Sequence, residues 1–168
     1  MRSERSLRAL CRRELAGLHL DLPLSAEQLC ERYGTRRGRP IRILDHPLPA
    51  DAPSGIWLAA EDGDYFFCQA NTTPLHREQI IVHEFSHLMA GHQLVDPGSS
   101  APTFPTDAES DAALGRTCYS DEREWEAEVL ATQIVDWAAT ATRGVGHAVQ
   151  HRGLRGVQRA LGGHRGWL

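Results

Sequence analysis

The chain has 168 residues, 41% of them hydrophobic, which is apolar material for one ordinary core and sets a single domain as the expectation. No stretch approaches the roughly 18 uninterrupted apolar residues of a membrane helix, and the Arg-studded start "MRSERSLRALCRRE" lacks the apolar run of a signal peptide, so a cytoplasmic protein with no membrane contact is expected. The net charge of −4 hides an uneven layout, with ten Arg against five acids in residues 1–42, three against seventeen in 45–139, and five against none in 143–168.

Residues 3–16 and 25–33 read as two short helices, the second with Ser25 as N-cap and Gly34 as its end. The pair is expected to pack on the core rather than to form a helix-turn-helix, because the basic residues of "RYGTRRGRP" follow the second helix and leave it no recognition face. Pro40 opens the strand "IRIL", and a Pro/Ala/Asp loop ends at Gly55. "GIWLAA" and "YFFCQA" read as two strands joined through Asp62-Gly63, a favoured hairpin pair. Thr73 before Pro74 is an N-cap and first-turn pair, and the helix it opens runs through "IIVHEFSHLMAGH" to about Gly91.

From residue 93 to 119 the chain is rich in Pro, Ser, Asp and Ala without sustained periodicity, and is expected to be a long loop or insertion. Helical periodicity returns over 121–142, with Ala127, Leu130, Ile134, Trp137, Ala138 and Ala141 on one stripe. The domain is therefore expected to span residues 1–142. Residues 143–168 form a basic, Gly-rich tail that could carry a short helix over 146–161 broken by glycines. Only Tyr33 and Trp167 stand among the arginines of the basic ends, too few aromatics to interleave with them, so direct nucleic-acid binding is not expected. Cys11, Cys30, Cys68 and Cys118 form no CxxC pair, which argues against a disulfide framework and a thiolate metal site alike; reduced, mostly buried thiols are expected.

The chemistry concentrates in "HEFSH". A helix turns about 100° per residue, so His83 and His87 stack on one face a turn apart and can bind one ion through two imidazole nitrogens. Glu84 lies beside that ion rather than on it. This arrangement suits amide hydrolysis: zinc polarises the carbonyl and lowers the pKa of water, and a neighbouring carboxylate takes the proton and passes it to the leaving amine. His83-Glu84-x-x-His87 is the zincin motif, and two imidazoles on a largely apolar helix are costly to bury unless something bonds them.

A catalytic zinc takes three protein ligands. His92 does not fit the metzincin spacing, since Ala90 and Gln93 stand where that pattern needs Gly and His, and it is expected behind the ligands or on the surface. That leaves a carboxylate on the helix from Asp121. With Glu126 at zero, the apolar stripe covers roughly 20° to 140°, so Glu126 borders one edge, Glu124 the other near about 160°, and Glu128 falls outside near about 200°. Geometry leaves Glu126 and Glu124 open. Tyr119, Arg123 and His76 are candidates to stabilise an oxyanion.

With these residues in view, the sequence resembles the ImmA/IrrE family of bacterial metallopeptidases over roughly residues 20–137, through a helical start, a strand hairpin, "HEFSHLMAGH" and the downstream Glu126-Ala127-Glu128-Val129-Leu130-Ala131. The resemblance implies Glu126 as third ligand beside His83 and His87, Glu84 as catalytic base, and Zn2+ as cofactor. It implies a zincin-like α+β fold: a small twisted β-sheet, the HExxH helix, and a second helix supplying a Glu ligand, with an edge strand able to hold an extended peptide. It also implies a zinc metalloendopeptidase with a narrow protein substrate, a helix-turn-helix transcriptional repressor whose cleavage derepresses a mobile element or stress response. The competing expectation is a non-catalytic or toxin-like zinc-binding module that engages a repressor partner.

Overall fold

The computed structural model describes residues 1–48, 53–92 and 119–160, with 143–160 described by their backbone. The expected 93–119 loop up to residue 118, Cys118, and the part of the expected tail beyond residue 160 lie outside the described residues.

Local signals set the first two helices. Helix α1 (Glu4–Leu15) is capped by Ser3, whose Oγ accepts from the Ser6 N–H, and it buries Leu7, Cys11 and Leu15 at four-residue spacing. Helix α2 (Ala26–Arg37) is capped by Ser25, which accepts from the Gln28 N–H. It runs past the expected end at Gly34. Gly38, at φ 64°, is the left-handed C-cap instead. Gly34 serves close approach: a Cβ there would stand 2.9 Å from the Arg39 carbonyl oxygen and 3.2 Å from the Ile41 nitrogen.

Three strands follow, β1 (Ile41–His46), β2 (Gly55–Ala60) and β3 (Gly63–Gln69), in the order β1-β3-β2. β1 runs parallel to β3 with Ile41 opposite Asp64, and β2 runs antiparallel with Ile56 opposite Phe67. The hairpin closes on the Ala60–Gly63 pair, so Glu61 and Asp62 make the turn and Gly63 already belongs to the strand, a shift of one residue from expectation. Asp64, 1% exposed, ties this corner together. It accepts from the Trp57 indole at 3.1 Å, from Arg37 at 2.9 Å and from Arg39 at 3.1 Å.

Helix α3 (Pro74–Ala90) has the expected punctuation: Thr73 Oγ1 accepts from the His76 N–H, proline stands in the first turn, and Gly91 at φ 73° closes it. From Ile80 to Ala90 every residue but His83 is buried, because α3 packs on β2 and β3 with one side and on the last helix with the other. That helix, α4 (Asp121–Ala160), continues through the glycines expected to break it. It buries Ala127, Leu130 and Ile134. The stripe ends there: Trp137 is 37% exposed, a departure from its expected place in the core. Helix α1 packs on α4, and α2 on α3 and β1. Phe66, Phe85, Leu7, Leu29, Ile81, Leu130 and Ile134 fill the centre of this α+β fold. Cys11, Cys30 and Cys68 are buried free thiols, as expected. Among the described residues no helix is long and apolar enough to cross a membrane.

Candidate metal centre

The seam between α3 and α4 opens into a cleft of about 840 Å³ whose walls include His83, Glu84, His87, Tyr119, Glu124 and the start of β2 at Gly55 and Ile56. The helical repeat places His83 and His87 one above the other, with their Nε2 atoms 3.0 Å apart. Glu124 closes the group from α4, its Oε2 lying 3.2 Å from His83 Nε2 and 3.6 Å from His87 Nε2. These three residues could hold a metal ion. Two imidazoles and a carboxylate are a zinc-type donor set, and three donors at tetrahedral zinc distances would stand about 3.3 to 3.6 Å apart. The observed separations of 3.0, 3.2 and 3.6 Å run from just below that range to its upper end.

Glu126, the carboxylate implied by the resemblance, is not in this group. It is 5% exposed and faces the opposite edge of α4, where the Arg2 backbone N–H donates to Oε1 at 2.6 Å, the Arg2 guanidinium to Oε2 at 2.8 Å, and His92 Nε2 lies 3.1 Å from Oε2. The physical reason is the rotation of α4. Burying Ala127, Leu130 and Ile134 points one edge of the stripe, with Glu124, at the cleft and turns the other, with Glu126, toward the N-terminal segment. Glu128 stays outside at the rim, 72% exposed and 3.9 Å from His83 Nδ1.

His92 lies behind the histidine pair, one of the two places expected for it. Gly91 ends α3 in the left-handed region and turns the chain back, so that the His92 N–H bonds the His87 carbonyl at 3.0 Å and its Nδ1 lies 3.1 Å from His87 Nδ1. His87 thus has a partner on each ring nitrogen. Its imidazole is pushed down to about 3, chiefly by burial and further by the neighbouring His83, His92 and Arg123, so the ring is neutral and can offer a lone pair.

Glu84 is 3% exposed. Burial, and then the charge of Glu124, push its carboxyl up to about 8 against the opposing bond from the Trp57 backbone N–H. Its Oε2 is buried without a hydrogen-bond partner. Gly55 makes room for it: a Cβ there would stand 2.7 Å from Glu84 Oε1 and 2.5 Å from Ile80 Cγ2.

Of the three oxyanion candidates, Tyr119 lies against the histidine pair. Its ring stacks on His87 at 3.7 Å between centroids and 12° between planes, and its hydroxyl is buried without a hydrogen-bond partner. Burial raises its pKa, with Glu84 and Glu124 adding to the effect, so it remains a donor. His76 lines the cleft with Nδ1 2.8 Å from Thr72 Oγ1. The signals for this geometry in the sequence were the four-residue spacing of His83 and His87 and the pair of carboxylates flanking the apolar stripe; the Tyr119 stack had none.

The chain matches no family model, no curated protein and no solved structure.

Proposed function

We propose that the chain is a zinc-dependent metalloendopeptidase of zincin type, related to the ImmA/IrrE metallopeptidases it resembles. The observation that carries this reading is the convergence on one cleft of a His83–His87–Glu124 donor set and a buried carboxylate, Glu84, with an unpartnered oxygen. An unpartnered buried carboxylate oxygen costs free energy, and a catalytic role is one reason for a fold to keep it.

A zinc ion held by His83, His87 and Glu124 would supply Lewis acidity toward the scissile carbonyl and would make water acidic enough to attack near neutral pH. The positive charge of that ion would favour the ionised form of Glu84, in which it accepts the proton of the attacking water and returns it to the leaving amine. The Tyr119 hydroxyl donates to the carbonyl oxygen as charge develops there. Strand β2 borders the cleft at Gly55 and Ile56, and as an edge strand it offers backbone groups to an extended peptide. The substrate is a protein with a narrow recognition sequence, by resemblance a helix-turn-helix repressor.

The test is the zinc content of the purified, desalted chain beside its His83→Ala variant, followed by incubation of the zinc-loaded chain and Glu84→Gln with a library of natural protein fragments read by new N-termini. The expected result is close to one zinc per chain, lost in His83→Ala, with cleavage abolished in Glu84→Gln while zinc is retained. Zinc without cleavage of any fragment would leave a binding module. Absence of zinc from the folded wild-type chain would remove the metal centre altogether.

A further inference from the structure

Resting on the metal-site reading above, we propose that His92 and Glu126 are positioning residues which, with Arg2, fix the tautomer and orientation of His87 so that its Nε2 lone pair points at the site shared with His83 and Glu124.

The argument follows from which atoms can donate. Glu126 receives two N–H donors from Arg2, the backbone amide on Oε1 at 2.6 Å and the guanidinium on Oε2 at 2.8 Å. A carboxylate held this way can only accept. The 3.1 Å contact between Glu126 Oε2 and His92 Nε2 therefore needs the proton on His92 Nε2. A neutral imidazole has one donor and one acceptor nitrogen, so His92 Nδ1 is then the acceptor. The 3.1 Å contact between His92 Nδ1 and His87 Nδ1 in turn needs the proton on His87 Nδ1. That leaves the lone pair of His87 on Nε2, the atom 3.0 Å from His83 Nε2 and 3.6 Å from Glu124 Oε2.

Burial makes the chain of bonds strict. His87 is 0% exposed, and His92 and Glu126 are each 5% exposed, so water has little access to satisfy a mismatched nitrogen. The far end is anchored twice, since the same Arg2 guanidinium also donates to the Ala90 carbonyl at 2.9 Å, one residue before the turn that carries His92 back. A ligand histidine commonly donates its second nitrogen straight to a carboxylate. Here a second imidazole lies between ligand and carboxylate, and the arginine at the end keeps the carboxylate an acceptor.

Two readouts test this on the full chain. The first needs no metal: nitrogen-15 ring shifts of His87 in the chelator-treated protein report its tautomer. The expected state is Nδ1–H in wild type. In Glu126→Gln the amide offers an N–H to His92 Nε2, reversing both imidazoles, and His87 is expected to switch to Nε2–H. The second readout is Zn2+ affinity by chelator competition, with the visible spectrum of the Co2+ form. Glu126→Gln and His92→Phe are expected to weaken Zn2+ by about 10- to 100-fold and to alter the Co2+ bands at saturation. Arg2→Met, at a half-exposed side chain, is expected to weaken Zn2+ several-fold with the fold intact, and keeps the proposal testable if the buried variants misfold.

A wild-type His87 carrying its proton on Nε2, or variants that bind Zn2+ as tightly as a zinc-binding wild type with unchanged Co2+ bands, would overturn the proposal and leave the metal centre standing. A folded wild type that binds no Zn2+ while His87 is in the Nδ1–H state would instead overturn the metalloenzyme reading, and with it the purpose assigned to the relay.

Discussion

Gly55 lies directly against the carboxylate of Glu84, since a Cβ at position 55 would stand 2.7 Å from Glu84 Oε1, and this close approach sets an edge strand against the helix that carries the histidine pair. The strand can come this close because its first residue is glycine: the space a side chain at position 55 would need is already taken by Glu84 and Ile80. Strand, carboxylate and helix form one packed unit, so the acid–base group of the proposed reaction is walled in by the strand as well as carried by its own helix.

Gly55→Ala should therefore be costly for both stability and activity. Its Cβ would stand 2.5 Å from Ile80 Cγ2 and 2.7 Å from Glu84 Oε1, and relief requires β2 to shift from α3 or Glu84 to rotate away. Overpacking of this kind costs about 1–3 kcal/mol, to be read as a thermal midpoint several degrees lower. Gly17→Ala is the control, since nothing lies within 4 Å of a Cβ there and only the φ of +75° resists it. Peptide cleavage should fall far more in Gly55→Ala than in Gly17→Ala.

The metal-free chain should have its stability maximum in mildly acidic solution as far as the site is concerned. Glu84, raised from 4.5 to about 8, binds a proton in the folded state that the unfolded chain has lost, so its contribution falls as pH rises from 4.5 to 8. His87, lowered from 6.5 to about 3, has the opposite sign, and its contribution is lost as pH falls from 6.5 to 3. The two offset each other between 4.5 and 6.5. Above 6.5 Glu84 acts alone, with a slope of about 1.4 kcal/mol per pH unit at most. Denaturant unfolding of the chelator-treated chain at pH 6.5 and 8 should show this loss, and Glu84→Gln should abolish it. An equal slope in the variant would show that the carboxyl is ionised throughout.

Asp64→Asn should destabilise the fold without touching the metal centre. The substitution removes a charge that two guanidiniums and an indole converge on at 1% exposure. The loss should be about 2–3 kcal/mol, since Arg37 and Arg39 are about one-third exposed and can partly rehydrate. Zinc stoichiometry of the folded protein should be unchanged, which separates this corner from the cleft.

The thiols offer a simple check of packing. Burial raises the pKa of Cys11 to about 11 and that of Cys68 to about 12, and raises Cys30 further still. At pH 8 these three should react with a thiol reagent only as fast as the chain unfolds, and rapidly in denaturant. Fast modification of more than one thiol in the native chain would contradict the packing of α1, α2 and β3.

Helix α3 was almost wholly legible, because its signals are local: Thr73 and Pro74 at one end, Gly91 at the other, and apolar residues on every face between. The pairing of His83 with His87 follows from the same periodicity. The third carboxylate was not legible to the same degree. Glu124 and Glu126 border the two edges of one apolar stripe, and which edge faces the histidines depends on how α4 is rotated against α3, a tertiary quantity. Resemblance favoured Glu126; packing brings Glu124 to the pair and gives Glu126 to Arg2 and His92. The end of α2 was misplaced for a related reason: Gly34 reads as a stop signal, yet its missing side chain serves the crossing of the segment before β1.

The contact between Arg2 and Glu126 joins residues 124 positions apart, and the one between His92 and Glu126 spans 34. Pairings of such long range bear the greatest loop-closure entropy and belong to the last stages of collapse rather than to its nucleus. A nascent or partly unfolded chain can form α3 with its two histidines and still lack the alignment supplied from far away in sequence. Tight zinc uptake would then follow completion of the fold, and the proposed peptidase activity would stay off on the way to it.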